Sequence, residues 1–152
     1  MPEPISFTSA SPRFHLPLLF TGQAQKEFFV NEAHALTDAL LHLAIEGQAS
    51  AAPLAPDDGD CWLVLAPATG DWAGQDGMIA CRQAGAWLFV TPRDGMRAFN
   101  RADGQDWRYA DGWQIAAAIA SPAGGTTIDS EARTAIDAIL LALTQAGILP
   151  PV

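Results

Sequence analysis

The sequence predicts an α+β fold: an N-terminal helix, a small antiparallel β-meander or barrel-like sheet, and a C-terminal amphipathic helix. Three observations predict it. Apolar residues near the N-terminus recur at helical spacing; the middle of the chain breaks into short apolar runs between turns containing Gly and Asp; a second heptad-spaced stripe closes the chain. With 152 residues, 49% of them apolar, there is material for a sizeable core. The organisation expected is a helix plus β-rich anchor over residues 1–115, a flexible linker over 116–127, and an oligomerisation or packing helix over 128–152.

The first helix is expected over residues 22–46. Phe29, Ala33, Leu36, Leu40 and Leu43 recur at alternating steps of four and three, an apolar stripe at heptad spacing. Leu41, Ala44 and Ile45 widen it near the end, and Gly47 is placed to stop it. Upstream, Pro12 and Pro17 keep the chain extended.

The β region, residues 57–115, reads as a series of hairpins. An apolar run over 61–65 follows the turn Asp57-Asp58-Gly59-Asp60. Runs over 78–83 and 86–91 flank Ala84-Gly85, a tight-hairpin signal. Runs over 96–100 and 106–109 flank a turn containing Asp103-Gly104, and Asp111-Gly112 separates 107–109 from 113–115. Arg82-Gln83-Ala84-Gly85-Ala86-Trp87 echoes Arg108-Tyr109-Ala110-Asp111-Gly112-Trp113, a turn followed at once by tryptophan. Two copies do not make a repeat architecture.

The last helix is expected over residues 130–146. Thr127 or Asp129 caps it, Gly147 stops it, and Pro150-Pro151 bars continuation. Ala132, Ile136, Ile139, Leu143 and Ala146 form its seam, and Arg133 and Asp137 are spaced to pair across one turn. A helix this short is marginal alone, so the seam needs a partner. Two partners fit: the protein's own sheet, or copies of the helix about a symmetry axis. Isoleucine at both core positions of one heptad favours more than two strands.

Composition excludes some functions. Seventeen acidic residues against eight basic ones leave a formal charge of −9, and Lys26 is the lone lysine. Such a surface lacks the footprint for a phosphate backbone or an anionic membrane. Charged residues at 16% are few for a chain that stands alone, which points to surface covered by partners. The N-terminus has no basic stretch followed by a long apolar run, so cytoplasmic synthesis is expected.

Candidate chemistry is sparse. His34, Asp38, His42 and Glu46 stand four apart, the spacing of a metal-binding stripe but equally of a solvated helix face. Asp57, Asp58, Asp60, Asp71, Asp76, Asp103, Asp106 and Asp111 sit in turns, where aspartate is a common turn former. Trp62, Trp72, Trp87, Trp107 and Trp113 suit either core anchors or a sugar-stacking platform. Cys61 and Cys81 read as buried thiols, with a single bridge between them the other choice. Nucleophile elbow and phosphate loop are missing. Neither an enzyme nor a cofactor or metal site is expected.

One stretch is specific. Leu16-Pro17-Leu18-Leu19 runs into Gly22-Gln23-Ala24-Gln25-Lys26-Glu27, then Asn31-Glu32-Ala33 and Leu36-Thr37-Asp38-Ala39-Leu40. It resembles the opening of an uncharacterised domain family of phage tail-fibre and head-spike proteins and gene transfer agents, in which a tryptophan-rich part follows. The resemblance covers roughly residues 7–115. It implies a structural protein of a phage-like particle, a head-spike or fibre base or adaptor, made in the cytoplasm and assembled into the particle. Its partners would be copies of itself, a capsid or tail protein and a distal fibre or spike protein. The short chain leaves little room for a receptor-binding tip, which favours a base or adaptor over the adhesin. Gln23, Gln25, Lys26, Glu27, Asn31 and Glu32 match the signature and are expected to build a hydrogen-bonded corner at an attachment interface. Ala132, Ile136, Ile139 and Leu143 are the expected self-association seam. The alternative is a small carbohydrate-binding module for host surface glycan, and a weaker third reading is a glycan hydrolase using the turn aspartates.

Overall fold

The computed structural model describes residues 9–19, Gly22 and residues 26–151. The fold is α+β, as the sequence predicts, with one helix towards each end and open β-sheets between them. Among the described residues no sheet closes into a barrel, and two of the strands pair in parallel, so the barrel-like antiparallel expectation is corrected. The chain divides into two compact units, Met1–Pro92 and Arg93–Val152.

In the first unit α1 spans Lys26–Leu40 and ends before the residue 46 expected from the stripe. Its end is set from outside the helix. The Arg13 guanidinium donates to the carbonyls of Asp38 (3.1 Å), Ala39 (2.6 Å) and His42 (2.8 Å), acceptors that a helix end leaves open. His42 turns to φ 51°, and the chain leaves as two short strands, β1 (Ala44–Ile45) and β2 (Gln48–Ala49). The expected buried stripe is also displaced. Phe29, Ala33 and Leu40 are exposed, while the buried helix positions are Asp38 and Ala39.

Asp38 explains that displacement. Its carboxylate is fully buried and accepts from Ser11 Oγ (2.6 Å), Phe14 N–H (2.6 Å) and Arg13 N–H (2.9 Å). A carboxylate so supplied tolerates burial, and the helix face carrying it turns inwards. The upstream segment folds back on itself through an Ala10–Pro17 bridge, Ser11 N–H to the Leu16 carbonyl (3.0 Å) and Leu18 N–H to the Ser9 carbonyl (3.1 Å).

The first sheet runs β2, β3 (Cys61–Val64), β4 (Ile79–Gln83), β5 (Ala86–Val90). β2 and β3 are parallel, with Gln48 opposite Leu63; the other pairs are antiparallel. The Ala84-Gly85 turn forms as expected, with φ of 48° and 75°, the sense that matches strand twist. On one face Val64, Trp72 and Ala80 are buried beneath Trp62, Trp87 and Phe89. Trp72 comes from a short 3₁₀ turn, Gly70–Trp72, and packs edge-on against Trp87 with centroids 5.1 Å apart. The opposite face buries Cys61, Leu63, Ile79 and Cys81, the alternate residues of the same strands.

In the second unit β6 (Arg97–Asn100), β7 (Gln105–Tyr109) and β8 (Trp113–Gln114) pair antiparallel, as the hairpin signals predict. Asp103 organises the β6–β7 turn: it accepts from Gln105 N–H (3.0 Å), Asn100 Nδ2 (2.9 Å) and Trp107 Nε1 (3.0 Å). α2 spans Ser130–Gln145. Asp129, not Thr127, is its cap, accepting from Ala132 N–H at 2.9 Å. Arg133 donates to the Gly124 carbonyl rather than taking the expected place against Asp137. The helix ends as foreseen at Gly147, φ 71°, with Gly147 N–H on the Thr144 carbonyl (3.0 Å) and Ile148 N–H on the Leu143 carbonyl (2.9 Å). Gly147 is also a contact point. A Cβ there would stand 3.6 Å from the Gly104 carbonyl oxygen, and its own carbonyl accepts from Asp106 N–H at 2.7 Å. Buried Gln105 completes the anchor by donating to the carbonyls of Ala116 (3.0 Å) and Ile148 (3.4 Å).

Two stability predictions follow from these contacts. Asp38→Ala strands three donors and lowers the unfolding free energy by about 3 kcal/mol, read from urea denaturation. Ala84→Asn relieves a left-handed alanine and raises it by about 1 kcal/mol in the same measurement.

Candidate interaction surfaces

Of the signature residues, Glu27 and Asn31 make side-chain hydrogen bonds to the preceding segment. Gln23 and Gln25 lie outside the described residues. Asn31 clasps Leu19 twice, its Oδ1 accepting from Leu19 N–H (2.8 Å) and its Nδ2 donating to the Leu19 carbonyl (3.0 Å). Glu27 Oε1 accepts from Gly22 N–H at 3.1 Å. Lys26 and Glu32 are exposed, away from these bonds. The clasp holds the Leu16–Leu19 segment against the first half of α1. Beside it Phe28 and Phe29 are 69% and 72% exposed, packed edge-on against one another at 5.7 Å. The sequence pattern puts Phe29 on the packing stripe and singles out nothing at Phe28; the structure leaves both on the surface.

The second surface is α2. None of its residues is buried. Ala132 is exposed, Ile136 and Ile139 are 42% and 58% exposed, and Leu143 is half-buried. The helix is fixed at its C-terminal end through Gly147 and the buried Leu149, and its seam is left open along most of its length.

The structure separates the groups considered for chemistry. His34 and Asp38 lie on α1, but Asp38 is engaged with Ser11, Arg13 and Phe14, His42 stands beyond the helix in a left-handed conformation, and Glu46 follows β1. The four-residue stripe therefore does not exist in space. Among the described residues no three His, Cys, Asp or Glu side chains are grouped to hold a metal ion. Several aspartates serve as loop latches: Asp58 accepts from Gly85 N–H (3.0 Å), Asp60 from Asp57 N–H (3.0 Å) and Asp76 from Ala68 N–H (2.7 Å). Trp72 and Trp107 are buried, and Trp62, Trp87 and Trp113 are half-buried in ring contacts with neighbouring aromatics. Among the described residues no helix is long and apolar enough to cross a membrane.

Cys61 and Cys81 are free, fully buried and directly opposed. Arg82 N–H bonds to the Asp60 carbonyl (2.8 Å), and the next cross-bonded pair is Trp62–Ala80. The cysteines therefore occupy the pair between, where opposed side chains approach most closely. The hydrogen bond with Cys61, then burial, push the Cys81 thiol well above its ordinary value, and the Arg13 guanidinium opposes them weakly.

These features define a small α+β domain with open sheets and apolar helix faces left uncovered. Residues 30–114, more than half of the chain, match the family described as "Protein of unknown function (DUF2793)", and the chain belongs to that family. The match begins inside α1 and ends with β8, so α2 and the whole of the Gly22–Glu27 signature lie outside it. No curated protein matches the chain.

The Cys81 environment predicts an alkaline limit. Cys81 stays neutral in the fold where an unfolded cysteine, with a pKa of about 8.5, ionises. Its contribution to stability is complete below that pH and is lost above it, at about 1.4 kcal/mol per pH unit. Urea denaturation between about pH 8 and about pH 10 reads this slope, which is reduced in Cys81→Ser.

Proposed function

We propose that this protein is an oligomeric structural component of a phage-like particle, a head-spike or fibre base or adaptor. In this reading the N-terminal face docks on a capsid or tail protein, and α2 bundles with copies of itself or presents a distal fibre or spike protein. The observation that carries the self-association half is α2, a helix with an isoleucine seam, secure caps at both ends and no buried residue. A helix of this length gains most of its stability from packing, so an open seam calls for a partner. The low content of charge and the net charge of −9 fit a protein whose surface is covered by protein rather than by nucleic acid. The particle role rests on the likeness of the Gly22–Glu27 and Asn31–Ala33 stretches to phage appendage proteins. A glycan-binding module draws less support, because the tryptophans pack on one another or in the core.

The double substitution Ile136→Glu and Ile139→Glu tests the bundle without touching a buried side chain. The wild-type chain is expected to be an oligomer by light scattering and the variant a monomer with unchanged circular dichroism. A monomeric wild type, or a variant of unchanged mass, overturns the bundle. Absence of the chain from purified particles overturns the particle role.

A further inference from the structure

A groove of about 790 Å³ opens in the first unit between the first half of α1 and the end of the sheet. Phe28, Asn31 and Ala35 form its helix wall; Gln83, Ala86 and Leu88 form its sheet wall. Among the described residues its charged lining is Glu27, Glu32 and Asp58, all acidic, with no Lys or Arg. Gln83 is only 6% exposed, and its Nε2 donor has no hydrogen-bond partner among the described residues. A buried amide donor without an acceptor is costly, and a partner's carbonyl is one remedy.

The sheet wall ends in an open strand. β5 is the edge of its sheet. The two-residue turn makes Gln83–Ala86 a cross-bonded pair, and alternation makes Cys81–Leu88 and Ile79–Val90 the next ones. The N–H and C=O groups of Trp87 and Phe89 therefore point away from β4, where no further strand pairs among the described residues. Ala86-Trp87-Leu88-Phe89-Val90 contains no charge and no proline, the devices that ordinarily blunt an exposed edge. The same strand thus offers backbone groups outwards and Ala86 and Leu88 side chains into the groove.

We propose that this groove and edge receive an extended segment of a partner protein, apolar at its centre and flanked by Lys or Arg, which adds a strand to β5. The backbone of Trp87 and Phe89 supplies the strand hydrogen bonds, alternate apolar side chains enter over Leu88 and Ala35, and the carboxylates of Glu32 and Asp58 meet the basic flanks. This names the chemistry of the docking partner and rests on the reading of the N-terminal face as the docking end.

Panning random twelve-residue peptides on the full chain tests it. Enriched peptides are expected to be basic with an apolar, β-branched centre, to weaken about tenfold or more on Glu32→Arg, and to protect the Trp87 and Phe89 amides from hydrogen exchange. N-methylation of alternate central amides in an enriched peptide keeps its charge and is expected to abolish binding. No enrichment, acidic enriched peptides, indifference to Glu32→Arg, or full binding by the N-methylated peptide overturns the proposal. An oligomer that dissociates with the Ile136/Ile139 variant yet selects no peptide overturns the groove alone and leaves the adaptor reading standing.

Discussion

The first unit depends on one buried carboxylate. Asp38 gathers a hydroxyl and two backbone amides from residues 11–14, and the neighbouring Arg13 side chain then closes the helix it sits on. Hydrogen bonds to a charged acceptor in a dry setting are stronger than neutral ones, and an unfilled one is heavily penalised. The arrangement is therefore close to all-or-none. When it forms, the N-terminal segment is pinned, α1 ends at Leu40, and the chain is released at the point from which β1 and β2 begin. The parallel β2–β3 pairing follows from that early release, because a helix continued to residue 46 would leave β2 no length in which to turn.

The second unit works by another hub. Gln105 and Asp106, at the start of β7, bind the end of α2 through Ile148 and Gly147, while Asp103 holds the turn that presents them. Side-chain and backbone hydrogen bonds at one end thus position a helix none of whose residues is fully buried. Orientation and stabilisation are divided here: the anchor orients, and packing along the seam, the larger source of helical stability, is left to whatever covers it.

The same division runs through both helices. Phe28 and Phe29 on α1, and Ile136 and Ile139 on α2, are large apolar side chains facing outwards, while Val64, Trp72 and Ala80 of the first unit are buried among aromatic rings. Scattered exposed apolar residues are ordinary; grouped ones on helical faces mark surfaces that associate. In this protein the sheet cores supply the fold, and the helix faces supply the surfaces available for contact.

Local chemistry was legible in the sequence by itself. The Ala84-Gly85 and Asp111-Gly112 turns, the strands they join, the Gly147 end of α2 and the spacing of its apolar seam each depend on a few adjacent residues, whose φ preferences and spacing are enough to place them. The end of α1, the inward turn of Asp38 and the inclusion of Phe29 in the outer surface were decided only by tertiary structure. Their cause lies about 25 residues away in Ser11, Arg13 and Phe14, and periodicity counts a carboxylate as a solvent-facing residue whatever donors await it. The opposition of Cys61 to Cys81 and the groove beside Gln83 were likewise invisible in one dimension, since strand register and the gap between a helix and a sheet edge exist only once the chain has closed on itself.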